Sequence, residues 1–219
     1  MSEKKSIALC SVTLNAVNPM TAFLQKNAPA FEVRNYLDSY LQGKIRKEGG
    51  ILPASMKRMT DMIATACEDG ADAVVLTCTV FSPYQPYFEK LFPVPVICPD
   101  GAMLDTVSKQ PGKKAILCTF ASTIEPTKKL YQEYCRKNGT PEEVTMVLLE
   151  EAAALQAAGD PAGCEEEIRR KARGLDASYD HIVLAQISMA GAAEGLQLTH
   201  ASLHTSPASA LAEVRKAIM

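Results

Sequence analysis

The 219 residues are 47% apolar and 22% charged, with a formal net charge of -2. That is enough apolar chain to build a core in one large or two smaller α/β domains, and it lacks the basic excess that nucleic-acid binding leaves. The opening MSEKKSIALC has no apolar core of a secretory signal, and no apolar run approaches the roughly 20 residues that span a bilayer. A cytoplasmic protein is expected, with neither nucleic acid nor membrane as partner.

Residues 7–12 (IALCSV) read as a first strand, followed by a polar loop over 13–19, and residues 31–36 (FEVRNY) read as a second strand. From Pro53 onward Met56, Met59, Ile63, Ala66 and Cys67 recur at helical spacing, and Gly70 supplies a stop. The unbroken apolar run Ala73 to Leu76 is the next strand. It ends in Thr77-Cys78-Thr79, and Ser82-Pro83 then starts a short helix. A strand over 94–98 and a helix from Asp100 complete a first half of form β-β-α-β-α-β-α.

The second half opens with a strand at 115–119 and a helix entered through Ser122-Thr123-Ile124-Glu125, which has the form of a capping box. Leu130, Tyr131, Tyr134 and Cys135 line its inner face. A strand at 144–149, a helix from Asp160-Pro161 carrying Cys164, Ile168 and Ala172 inward, and strands at 181–185 and 203–205 follow. Ser206-Pro207 opens a terminal helix with Leu211, Val214 and Ile218 on its inner face. Strands alternating with helices predict mostly parallel sheets flanked by helices.

A shift of 108 residues carries Leu9-Cys10-Ser11 onto Leu117-Cys118-Thr119, Asp72, Val75 and Leu76 onto Asp180, Val183 and Leu184, and Pro99 onto Pro207. The chain therefore reads as two pseudo-symmetric halves, 1–111 and 112–219, with the final helix able to pack across onto the first half and an active site expected in the cleft between them. Under this shift the counterpart of Cys78 is Gln186.

Seven cysteines without a C-x-x-C pair indicate reduced thiols, most of them packing groups. Cys78 differs by standing where a strand hands over to a helix, the usual ligand position in open α/β sheets. Cys10 and Cys118 lie near strand ends but one residue short of hydroxyls. Hydroxyls and free backbone N–H groups at such junctions suit a carboxylate, which draws attention to Thr119, Ser122 and Thr123; capping their own helix is the competing use of Ser122 and Thr123. Of the three histidines, His204 precedes the Thr-Ser-Pro turn, although period two can also direct it into the core. No metal-ligand pattern, Gly-x-Gly-x-x-Gly or Walker loop follows a strand, so no cofactor is expected.

The segments ADAVVLTCT, ILCTFASTIEPTKKLYQEY, HIVLAQISM and LHTSPASAL together resemble the cofactor-independent aspartate/glutamate racemase superfamily, which includes hydantoin racemases, maleate isomerases and arylmalonate decarboxylases. The resemblance implies a duplicated α/β fold in which one thiolate removes the proton beside a carboxylate and a second thiol protonates the opposite face. It places Cys78 as the first thiol and Gln186 where the second would stand, with Thr79, Thr119, Ser122 and Thr123 holding the substrate carboxylate and Ser11 and Asn15 as weaker candidates from the first loop. An amide does not exchange protons at neutral pH, and Ser188 needs an activating base to carry one. The expected activity is proton transfer next to the carboxylate of a small amino acid or dicarboxylate, by a homodimer. The alternatives are a single-cysteine decarboxylase or cis-trans isomerase, and a non-catalytic protein that binds small carboxylates.

Overall fold

The structure is a computed structural model that describes residues 4–219. Its chain divides into two compact units, Met1–Pro99 with Ala210–Met219, and Asp100–Ser209. The first contains β1 (Ser6–Ser11), α1 (Leu14–Asn27), β2 (Glu32–Leu37), α2 (Ser39–Glu48), α3 (Pro53–Glu68), β3 (Ala73–Leu76), a 3-10 segment Thr79–Tyr84, α4 (Gln85–Leu91) and β4 (Val96–Ile97). The helix α5 begins at Pro99 and runs to Ser108. The second unit continues with β5 (Lys114–Cys118), α6 (Ala121–Asn138), β6 (Thr145–Leu148), α7 (Glu150–Ala157), α8 (Pro161–Leu175), β7 (His181–Leu184), a 3-10 segment Ile187–Ala193 and β8 (Ser202–Thr205), before α9 (Ser206–Ile218). No helix among the described residues is long and apolar enough to cross a membrane.

Each unit is built on a four-stranded parallel sheet, β2-β1-β3-β4 in the first and β6-β5-β7-β8 in the second. Period-two alternation divides each central strand between two faces. In β5, Ala115 and Leu117 pack with Cys164, Ile168 and Ala172 of α8, whereas Ile116 and Cys118 pack with Leu130, Tyr131 and Cys135 of α6. In the first unit Ala8, Cys10, Val74 and Leu76 meet Leu41, Ile45, Met59 and Ile63 of α2 and α3.

Three helices go beyond the sequence reading. Residues 13–19, expected as a loop, hold the start of α1: Thr13 caps it by accepting the Asn15 N–H at 3.3 Å, and Ala16, Val17, Met20 and Leu24 are buried along one stripe. Burial of that stripe outweighs the hydrogen bond lost at Pro19 inside the helix. The helices α2 and α7 are short and carry few buried positions, so their periodicity is faint.

The two units repeat one another, but not at a single shift. Cys10 pairs with Leu76 in the first sheet and Leu117 with Leu184 in the second. Thus β3 falls on β7 at 108 residues while β1 falls on β5 at 107. The hydrogen bonds at the amino ends of these strands agree, Ser6 N–H to Asp72 at 2.8 Å matching Lys113 N–H to Asp180 at 2.6 Å. The last strands also match at 107, since Ile97 lies opposite Val75 and His204 opposite Val183. The gapless shift of 108 is therefore corrected: Ser11 corresponds to Cys118, Thr119 to Val12, and Pro99 to Ser206. At 107 Pro19 falls on Pro126, and each is the sixth residue of its helix. Cys78 still corresponds to Gln186, because their carbonyls accept the equivalent turn bonds from Phe81 at 3.0 Å and Met189 at 2.9 Å.

Candidate functional site

In both sheets the chain leaves the two central strands toward opposite edges, β1 to β2 and β3 to β4 in the first and β5 to β6 and β7 to β8 in the second, so a topological switch point lies between β1 and β3 and between β5 and β7. In open α/β sheets ligands bind at such points, beyond the carboxyl ends of the strands. The sequence candidates cluster at these two points, one in each unit.

In the first unit the ladder runs one residue past β3, Thr77 N–H donating to the Cys10 carbonyl at 3.1 Å. The Thr77 hydroxyl donates to Ser11 Oγ at 2.7 Å. Ser11 is fully buried, so its hydroxyl serves this tie between strand ends. Cys78 follows in extended conformation at the head of the 3-10 segment; it packs against the core cluster but remains partly exposed, as does Thr79. Asn15 is exposed in the first turn of α1.

All seven cysteines are free of disulfides. Burial, with a smaller contribution from Cys67, pushes the Cys10 thiol up to about 12, and burial pushes Cys118 up to about 11. Both remain protonated packing groups, because a buried thiolate lacks the solvation its charge requires. Cys67 and Cys164 are raised by burial as well.

In the second unit Gln186 makes the tie. Its Oε1 accepts the Thr119 backbone N–H at 2.8 Å and the Thr119 hydroxyl at 2.7 Å. Position 185 is alanine and position 118 a buried cysteine, so the hydroxyl pair of the first unit has no equivalent here. Thr123 is also committed, donating its hydroxyl to the Phe120 carbonyl at 2.7 Å. The capping box does not form: α6 starts at Ala121 and Phe120 is its cap residue, which leaves Ser122 inside the first turn and exposed. Ser188 is partly exposed in the 3-10 segment after Gln186.

His204 points away from these loops and into a pair with His181, Nε2 lying 3.1 Å from His181 Nδ1. His181 Nε2 lies 2.9 Å from the Pro111 carbonyl and must donate to it. Its Nδ1 is then bare and accepts from His204 Nε2. Burial, and secondarily the repulsion a second proton on the pair would meet from the adjacent His181 imidazole, pulls His204 down to about 4.

No family model matches the sequence, and no curated protein does so significantly. Solved structures do match in shape. The aspartate racemase of Picrophilus torridus superposes with a TM-score of 0.71 at 14% identity, covering 97% of this chain and 94% of its own. The chain has the aspartate/glutamate racemase fold. Allantoin racemase from Klebsiella pneumoniae gives a TM-score of 0.71 at 16% identity over 97% of this chain and 86% of its own. Glutamate racemase from Bacillus anthracis gives 0.68 at 11% over 98% and 82%.

Within this racemase fold, three contacts are absent from the sequence reading: the Ser11–Thr77 tie, the Thr119–Gln186 tie and the histidine pair. Each joins neighbouring strands through side chains about 66, 67 and 23 residues apart. Hydroxyl or amide side chains at the ends of two adjacent strands are the signal for the first two, and it is readable only once strand order is known.

Proposed function

We propose that the protein is a cofactor-independent isomerase of the racemase type, moving a proton at the carbon next to the carboxylate of a small amino acid or dicarboxylate, with Cys78 as acid and base. The observation that carries this reading is the position of Cys78: partly exposed at a switch point, while Cys10 on the adjacent strand β1, and Cys118 at the end of β5 in the other sheet, are buried and raised in pKa. In the reaction the Cys78 thiolate takes the α-proton, and the C–H electron pair moves into the carboxylate to give an enolate. Hydrogen-bond donors at the strand-to-helix turns stabilise the charge developing on its oxygens. Asn15, Thr79, Ser122 and Ser188 are the partly or fully exposed members of the donor set, and Thr119 and Ser11 support it from behind. A homodimer belongs to the same reading and is checked by light scattering.

A second reading is favoured by Gln186. With its oxygen held by Thr119, it supplies no proton to the far face of an enolate. Cys78 then returns a proton to the face from which it came, or protonates an enolate left by decarboxylation. Covalent addition of the thiolate to a double bond followed by rotation and expulsion would give cis-trans isomerisation by the same single sulfur.

Solvent deuterium separates these outcomes. Incorporation at the α-carbon of one enantiomer with inversion indicates a second acid, incorporation without inversion indicates Cys78 alone, and both are lost in Cys78→Ala. Absence of exchange, decarboxylation and isomerisation across amino acids, malonates and maleate would overturn the enzymatic reading in favour of a carboxylate-binding protein.

A further inference from the structure

The geometry points to Gln186 as a fixed hydrogen-bond donor for the ligand's carboxylate, its side-chain amide held by Thr119 through the oxygen so that both Nε2 hydrogens are left to donate. The orientation of the amide follows from chemistry. A backbone N–H can only donate, so the atom 2.8 Å from the Thr119 nitrogen is the amide oxygen, and the Thr119 hydroxyl at 2.7 Å fills its second lone pair. Nε2 is left with two N–H donors, and no acceptor among the described residues is within hydrogen-bond reach of it. The residue is partly exposed and does not cap the 3-10 segment that follows.

The anchoring job alone does not account for an amide. Thr119 N–H lies just beyond the β5–β7 ladder, whose last bond runs from Ala185 N–H to the Leu117 carbonyl at 3.1 Å. Any side-chain oxygen of the right reach would satisfy it, and a glutamate would do so as well as a glutamine. The two differ at the free end, which is an N–H donor pair in one and an anionic acceptor in the other. Two threonine hydroxyls of this switch point are already in use, Thr119 donating to Gln186 and Thr123 to Phe120, which leaves Ser122, exposed, and Ser188, partly exposed, as the other hydroxyls there. The role that the resemblance gives to Thr119 and Thr123 is thus passed to the amide that Thr119 holds, with Thr119 as a positioning residue. A donor of fixed direction loses little entropy when a carboxylate docks, and it also stabilises an enolate without exchanging protons with it.

This inference rests on the proposed carboxylate chemistry, and Gln186→Glu tests it apart from that chemistry. The variant keeps an oxygen for both Thr119 donors and replaces the Nε2 N–H pair by a negative oxygen. Ligand-induced thermal stabilisation and titration calorimetry with aspartate, glutamate, malonate and maleate are the readouts. Gln186→Glu is expected to keep the melting temperature of the unliganded protein within a few degrees and to lose about tenfold to a hundredfold in carboxylate affinity. Undiminished affinity in Gln186→Glu, with turnover lost in Cys78→Ala, would overturn the role of Gln186 and leave the proposed function standing. No binding of any of these acids to the unaltered protein would overturn both. Should Gln186→Glu fail to fold, Thr119→Val serves instead. It keeps the backbone N–H but frees the amide to turn, and is expected to raise KM several-fold with little change in kcat; an unchanged KM would count against the proposal.

Discussion

The two units solve the same problem differently at the point where their central strands part. In the first, a pair of buried hydroxyls, Ser11 and Thr77, ties β1 to β3, and the next residue, Cys78, is left with its side chain outside that tie. In the second, the equivalents of Ser11 and Thr77 are Cys118 and Ala185, which cannot make the bond, and the tie moves one residue along to Gln186. The repeat thus preserves a strand-end bond rather than a residue. Where hydroxyls make it, the following position takes no part in the strand-end tie; where they are missing, that position is drawn into it.

The sharpest test of this asymmetry is to truncate the two corresponding residues. Cys78→Ala should lower turnover by about 10²–10⁴-fold, the usual contribution of a proton-transfer group, while the melting temperature changes little because the side chain is not a strand tie. Gln186→Met should instead lower the melting temperature, since it strands the Thr119 N–H where the ladder ends. Steady-state rates and scanning calorimetry on both variants decide the matter. Equal loss of stability in the two would erase the distinction between the units.

Smaller effects are expected at the first unit's tie. Thr77→Val conserves shape but leaves the buried Ser11 hydroxyl without its donor, at a cost of about 1–3 kcal/mol, or about 5 °C in a protein of this size. Adding Ser11→Ala should recover part of that loss, because removing both partners of a buried pair costs less than removing one. Melting curves of the two single variants and the double variant measure the coupling. Additivity would mean that the hydroxyls contribute independently.

Much of this architecture was legible in the sequence because the core strands are continuous apolar runs. IALCSV, AVVL, AILCT and HIVLA all became central strands, and strong stripes such as Met59, Ile63 and Ala66 gave their helices. The shape-based match to racemases agrees with the fold that the resemblance implied. The register of the repeat was less accessible. Apolar residues in adjacent positions of a strand look alike, so Leu-Cys at 9–10 and 117–118 aligned by identity while the hydrogen bonds place them one residue apart. The proline in α1 obscured the best remaining clue, since Pro19 reads as a loop residue until Pro126 is seen at the same place in α6. The candidate site was named in the sequence only as a set of positions. Which hydroxyls are already bonded to protein acceptors depends on strand order and on side-chain direction, neither of which the linear pattern carries.

The mildest expected difference between the units concerns pH. The second carries His181 and His204 where the equivalent positions of the first are Ala73 and Ile97. His204 is pulled down to about 4, first by burial and then by the repulsion a second proton on the pair would meet from His181, against an unfolded value near 6.5. Between those values the unfolded chain takes up a proton that the folded one refuses, so the neutral pair contributes fully above about pH 6.5 and its contribution is lost as pH falls toward 4. Partial solvent exposure reduces the effect, which should appear as a fall of about 1–3 °C in melting temperature between pH 6.5 and 5.5. Carboxylates held low by their partners, such as Asp176, which accepts the Ala201 N–H at 2.7 Å, titrate below this window and do not confuse it. Melting curves of the unaltered protein and of His204→Leu across pH 7 to 5 provide the comparison. A slope that survives unchanged in His204→Leu would show that the acid sensitivity comes from elsewhere than the second unit's imidazole pair.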